Sequence, residues 1–225
     1  VKPSVEVTIR DLGGRLRGTA AQGGGTLRIA DGGLAFERVD LRAGGLRLFA
    51  DGELQTQKRA LRFRLLADDL GVITPQGEGR VQLEGSIGGS KQNPILQLRG
   101  KGEGVRLFGV ALQRVDVDVD MATDARARIT ARNVAMPGRK LDRVEFKLDG
   151  RATAHEFALD ATGPELKLAA RGNGDWRDDL WSTRWTRFDL DLAADAELGL
   201  TEAFALRIGP KLVNASRFCL RGRGD

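Results

Sequence analysis

The chain has 225 residues, a net charge of +5, 30% charged residues, 30 glycines, no Tyr and only 5% aromatic residues. Its apolar content is spread thinly as single Leu, Val and Ala residues, which predicts a shallow, extended apolar surface instead of a thick core. No apolar run approaches the roughly 18 residues of a membrane-spanning helix, and acids and bases alternate without forming a basic block, so no nucleic-acid partner is expected.

Period-two alternation of apolar and polar residues runs from one end to the other. In chain order it places strands at Leu27/Ile29, Leu34/Phe36, Val39/Leu41, Leu46/Leu48, Leu61/Phe63/Leu65 and Val81/Leu83. It continues through Leu96/Leu98, Val105/Leu107, Val110/Leu112 and Val115/Val117/Val119, then Val144/Phe146/Leu148, Phe157/Leu159, Leu166/Leu168, Phe188/Leu190/Leu192, Leu206/Ile208 and Phe218/Leu220. Between them stand Asp31-Gly32-Gly33, Gly44-Gly45, Asp51-Gly52, Gly88-Gly89 and Asp149-Gly150. Such dipeptides supply the positive φ of tight turns. About seventeen to twenty strands of five to seven residues are expected.

One hairpin is legible residue by residue. With Ala122-Thr123-Asp124 as its loop, Asp120 falls opposite Arg126 and Asp118 opposite Arg128, while Val117, Val119 and Ile129 share the other face. Opposite charges across strands fix register more than stability. Helical signal is confined to Asp178–Arg187, where Trp181 and Trp185 stand four apart, the spacing of one helical turn. No domain boundary shows. The loose repeat of strand pairs favours a solenoid-like stack, which at about 4.8 Å per strand would span roughly 85 Å. A compact domain of this length would measure about 45 Å.

Chemistry is scarce. The single histidine, His155, removes metal triads and most acid–base relays, and its place near Asp149-Gly150 predicts a surface residue at a turn or strand start. Cys219 has no partner cysteine and no activating base nearby, and is expected to be a small apolar filler or half of a bridge beyond this sequence. Gly100-Lys-Gly-Glu-Gly104 lacks the strand–loop–helix setting of a phosphate loop and is expected to connect strands. Asp116, Asp118 and Asp120 share one face, but the arginines opposite argue against Ca²⁺. Trp176, Trp181 and Trp185 are expected to form a local packing cluster. No catalytic residue, metal or cofactor is expected. Val1 stands where a Met would begin a whole protein and Arg223-Gly224-Asp225 ends the sequence, so a piece of a longer protein is expected.

The phrases Asp149-Gly-Arg-Ala-Thr-Ala-His-Glu-Phe-Ala-Leu-Asp-Ala-Thr-Gly-Pro-Glu-Leu-Lys-Leu168, Gly172-Asn-Gly-Asp-Trp176, Trp181, Trp185, Phe188-Asp-Leu-Asp-Leu192 and Ala215-Ser-Arg-Phe-Cys-Leu220 resemble the TamB family of AsmA-like bridge proteins. The resemblance is recognisable over 149–220 and shared in style by the whole chain. It implies an all-β fold, a long curled sheet shaped like a taco or gutter with an apolar concave face. It also implies a non-catalytic role in the periplasm, within a protein anchored in the bacterial inner membrane and pairing with a TamA-like Omp85-family barrel through other regions. Residues 1–225 would be an interior or C-terminal-region segment of such a protein, continuous as one taco, with the partner of Cys219 beyond it. The cargo implied is phospholipid, whose acyl chains would lie along Leu27, Ile29, Leu46, Leu48, Leu61, Phe63, Leu65, Val81, Leu83, Val117, Val119, Phe146, Leu148, Leu166, Leu168, Leu190 and Leu206. The alternative is a chaperone-like module that pairs its sheet edges with strands of nascent outer-membrane proteins.

Overall fold

A computed structural model describes residues 5–30, 33–54, 60–89, 94–121, 124–177, 180–193 and 196–222. The loop positions 31–32, 90–93 and 122–123 and the final tripeptide 223–225 lie outside the described residues. The fold is all-β: seventeen strands, one 3₁₀ turn at Leu70–Val72, and no α-helix among the described residues. Two compact units, Val1–Gly109 and Val110–Asp225, are built from the same kind of strand.

The first unit holds β1 (Val5–Leu16), β2 (Thr19–Ala30), β3 (Gly33–Ala43), β4 (Leu46–Leu54), β5 (Leu61–Ala67), β6 (Glu78–Gly89) and β7 (Pro94–Leu107). Each pairs antiparallel with the next in sequence. The second holds β8 (Val110–Met121), β9 (Ala125–Met136), β10 (Arg139–Arg151), β11 (Ala154–Thr162), β12 (Lys167–Arg177) and β13 (Leu180–Leu192) in the same order. Beyond them come β14 (Ala196–Leu200), β15 (Phe204–Gly209), β16 (Leu212–Ala215) and β17 (Leu220–Gly222). Along β13, Asp189–Leu192 carry β14 and Trp181–Trp185 carry β15. β17 pairs with β14 and β16 with β15, so these four pieces are the halves of two interrupted strands. At the interruption the Thr201 N–H and hydroxyl both donate to the Cys219 carbonyl at 3.1 Å, and the Ala205 N–H donates to Ser216 Oγ at 2.9 Å.

Several strands reach 11 to 14 residues, longer than the alternation predicts. Runs that look separate in sequence are joined through bulges. Leu34/Phe36 and Val39/Leu41 are both in β3, on either side of a register shift. Gly100–Gly104, expected as a connection, lies inside β7. Asp51-Gly52 and Asp149-Gly150, expected as turns, are also within strands, with Gly52 at φ 128° and Gly150 at φ 140°. Their glycines are used for close approach: a Cβ on Gly52 would meet the Ala60 carbonyl oxygen at 2.2 Å. Gly44-Gly45 does form a turn.

Bulges bend strands and increase twist, and in each unit three irregularities on neighbouring strands are aligned. Register shifts fall at Ile9/Leu12 in β1, Gly24/Thr26 in β2 and Phe36/Val39 in β3, at one level of the first unit. In the second, Gln113, Asn133 and Asp142 drop out of the ladders at one level of β8, β9 and β10, while pairing resumes beyond them in unchanged register. Asn133 has φ 49°, and its side-chain amide is hydrogen-bonded to that of Gln113. These creases curl each sheet. They also swap side-chain parity in step, so that Val134 and Leu141 rejoin Ala161 on one face.

The Asp118–Arg128 and Asp120–Arg126 pairs occur as the alternation predicts. The helical turn does not. Trp181 and Trp185 lie in β13, four positions apart and each two from Thr183, because ladders to both β12 and β15 pair the backbone there better than an isolated turn would.

Candidate functional site: an uncovered apolar face

Antiparallel pairing puts directly opposed residues on the same face, so the registers define rows across each sheet. In the first unit one row reads Leu12, Gly23, Leu41, Leu48, Leu65, Leu83, Gly100 from β1 to β7. Its neighbours read Gly14, Ala21, Ala43, Leu46, Ala67, Val81, Gly102, and Val39, Ala50, Phe63, Gly85, Leu98. Large residues tuck over glycines on the adjacent strand. A Cβ on Gly100 would lie 2.6 Å from Leu83 Cδ1, and one on Gly85 3.1 Å from Phe63 Cζ.

The second unit repeats the pattern. Val117, Ile129, Phe146, Leu159, Ala170 and Phe188 form one row; Val115, Ala131, Val144, Ala161, Leu168, Leu190 and Leu198 another. A third runs Val119, Ala127, Leu148, Phe157, Gly172, Trp185, Phe204. Registers or packing place Leu27, Ile29, Leu46, Leu48, Leu61, Phe63, Leu65, Val81 and Leu83 on one face of the first unit, and Val117, Val119, Phe146, Leu148, Leu166, Leu168, Leu190 and Leu206 on one face of the second.

Among the described residues no second layer of the same unit covers these faces. Among the predicted lining residues only Leu61 and Leu148 are buried; the others are half-buried, and Ile29 is exposed. No large side chain among the described residues is fully buried. The opposite face carries the charges, including the ion pairs Arg64–Glu84 at 3.5 Å, Arg106–Glu78 at 2.7 Å and Arg171–Asp160 at 2.8 Å. Exposed pairs of this kind contribute little stability; they keep that side wet. Two carboxylates there stay ionised to lower pH than usual, Asp40 through its hydrogen bond to Arg42 and Glu145 through those to Lys147 and then Arg143.

Two polar residues break the apolar rows, and both are satisfied locally. His155, expected at the surface, is buried between Gly150 and Gly174. The Trp181 indole N–H donates to its Nε2 at 2.9 Å. Indole nitrogen only donates, so the proton of the neutral ring sits on Nδ1, which donates to the Arg151 carbonyl at 3.1 Å. Thr183 donates to the Leu206 carbonyl at 2.8 Å and accepts from the Trp185 N–H at 3.1 Å. Around them Trp181, Phe157, Trp185, Phe204 and Phe218 contact one another in turn with centroids 4.8 to 5.8 Å apart, Phe157 tilted or edge-on to the two indoles and the remaining rings stacked. Trp181 and Trp185 both pack on Phe157, Trp176 pairs with Trp181 across β12 and β13, and the ring contacts extend to Phe204 and Phe218, members that alternation alone does not connect. Cys219 is exposed beside its end.

A strand-built sheet with one charged face and one apolar face left bare presents a large uncovered hydrophobic surface. The family model described as TamB, N-terminal domain, matches residues 3–224, and the chain belongs to that family. The match reaches well beyond residues 149–220, and its description as an N-terminal domain differs from the interior or C-terminal placement the phrases imply. No curated protein and no solved structure matches the chain. No helix among the described residues is long and apolar enough to cross a membrane.

Proposed function

We propose that the apolar faces shelter the acyl chains of phospholipid in the periplasm, as part of a non-catalytic bridge tethered in the inner membrane and reaching toward an Omp85-family barrel in the outer membrane. The observation that carries this reading is the bare apolar face, continuous in register over β1 to β7 and again over β8 to β15. Each methylene removed from water contributes about 0.8 kcal/mol. Successive rows are nearly equivalent, so a chain sliding along them meets no deep well. Membership of the TamB family supports the bridge and assembly role in general.

The test is recovery of lipid. Mass spectrometry of the purified chain should find co-isolated phospholipid, and Leu83→Asp or Phe146→Asp should reduce it at least tenfold by placing a charge among apolar groups, with the β-sheet signal in circular dichroism unchanged. Full lipid recovery in both variants would sink the proposal. A second reading rests on β1, where Val5, Val7 and Ile9 are 42–51% exposed on a strand that, among the described residues of its unit, pairs with β2 alone. Such an edge suits pairing with a nascent outer-membrane strand. Photo-cross-linkers in β1 that capture polypeptide and never lipid would favour it.

A further inference from the structure

The charged faces differ in one respect. In the first unit most rows set opposite signs side by side: Arg62 faces Asp51, and Glu84 stands between Arg64 and Arg99; where Arg42 faces Arg47, the Asp40 carboxylate holds Arg42 at 2.8 Å. In the second, Arg114, Arg132 and Arg143 lie directly opposite one another on β8, β9 and β10. Three guanidinium groups are thus rooted on adjacent strands about 4.8 Å apart. Like charges placed opposite one another destabilise a sheet, so this row costs stability where it stands.

Carboxylates do not relieve it. Arg143 is held by Glu145 at 3.0 Å, but Glu145 also serves Lys147 at 3.1 Å. Among the described residues Arg114 and Arg132 have neither an ion pair nor a side-chain hydrogen bond, and both are exposed. Asp116, one row along, makes no ion pair with Arg114 among the described residues. The row borders the crease, where the bonded side-chain amides of Gln113 and Asn133 sit beside it.

We propose that Arg114, Arg132 and Arg143 form a binding site for a phosphate-type oxyanion, a free phosphate or the phosphodiester of a lipid headgroup. Guanidinium groups take such oxygens in pairs of parallel hydrogen bonds. Two unpaired arginines on neighbouring strands offer two such forks to one tetrahedral group, with the third supplying charge at the side. The site lies on the charged face and does not depend on what the apolar face binds.

The test is titration of the full 225-residue chain with inorganic phosphate at constant ionic strength, followed by calorimetry. Saturable binding is expected, weakened at least about tenfold in the double variant Arg114→Gln/Arg132→Gln. Arg62→Gln/Arg64→Gln in the other unit removes the same charge and should leave binding unchanged. Because the row is repulsive, the Arg114→Gln/Arg132→Gln chain should melt at or above the parent temperature. Arg132→Lys, which keeps the charge and loses the fork, should give an intermediate affinity. Vesicles of phosphatidylcholine with and without phosphatidylglycerol distinguish the sources: sedimentation with the anionic vesicles that phosphate competes away, and that needs Arg114 and Arg132, identifies the headgroup. Phosphate binding without vesicle binding identifies the soluble ion. Absence of saturable phosphate binding, equal losses in the two double variants, or a lower melting temperature in Arg114→Gln/Arg132→Gln would each overturn the proposal.

Discussion

Replacing His155 by Phe keeps a flat ring of similar size between Gly150 and Gly174 and removes both of its hydrogen bonds. The Trp181 indole N–H, 2.9 Å from Nε2 in the parent, is left facing carbon. The Arg151 carbonyl loses its partner at 3.1 Å. An orphaned donor costs about 1–3 kcal/mol, and a lost bond about 1. Because Trp181 is only half-buried, water recovers part of this, and about 2–3 kcal/mol is expected in total. For chains of this length each kcal/mol shifts Tm by about 2–4 °C, so a fall of about 4–12 °C follows. All three tryptophans lie in the second unit, so their fluorescence during urea unfolding reports that unit directly. In Trp181→Phe/His155→Phe neither partner is orphaned, and the double variant should recover about 1–2 kcal/mol relative to the summed single effects. A single variant within about 0.5 kcal/mol of the parent, or strict additivity, would refute the account of His155 as a satisfied strut of the apolar face.

Gly172→Ala places a Cβ 2.4 Å from Phe157 Cζ and 2.5 Å from the Arg184 carbonyl oxygen. A loss of about 2–3 kcal/mol in urea melts is expected, since backbone must move as well as the ring. Arg38→Gly removes a side chain from a residue at φ 47° while leaving its N–H bond to Asp51 intact. The chain should gain up to about 1 kcal/mol. The lowered pKa of Glu145 means its pairing with Lys147 and Arg143 contributes stability fully above the ordinary value of 4.5 and loses it as pH falls through the lower folded value. Glu145→Gln should therefore flatten the acid limb of the stability profile, and an unchanged limb would contradict that assignment.

Much of the sheet is legible because alternation has only one physical reading when glycine-rich punctuation recurs. Val115–Met121 against Ala125–Ile129 could be drawn to the residue. What alternation hides is the bulge. Gly52 and Gly150 carry the positive φ of a turn, and nothing local separates a turn from a mid-strand crease; the difference lies in the neighbouring strand, where Leu61 or His155 occupies the space a Cβ would need. Trp181 and Trp185 stand at a helical interval that also fits every second position of a strand. His155 looked superficial because a polar residue on an apolar face is predictable only once its donor, 26 positions away, is known to be opposite. The apolar residues were legible as a face, since facing follows from parity, whereas the arginine row required the registers of three strands at once.

Nearly every ladder joins strands consecutive in sequence, and this restricts how such a chain changes length. Removing one strand reverses the direction of everything after it, so the remaining sequence meets its neighbours parallel, in a ladder its short turns cannot close. Removing a hairpin leaves direction, facing and turn geometry intact. Families built this way are expected to grow and shrink two strands at a time. Relatives should therefore differ by insertions and deletions of about two strand lengths, some 24 to 28 residues for strands of 12 to 14 residues such as β6 to β10.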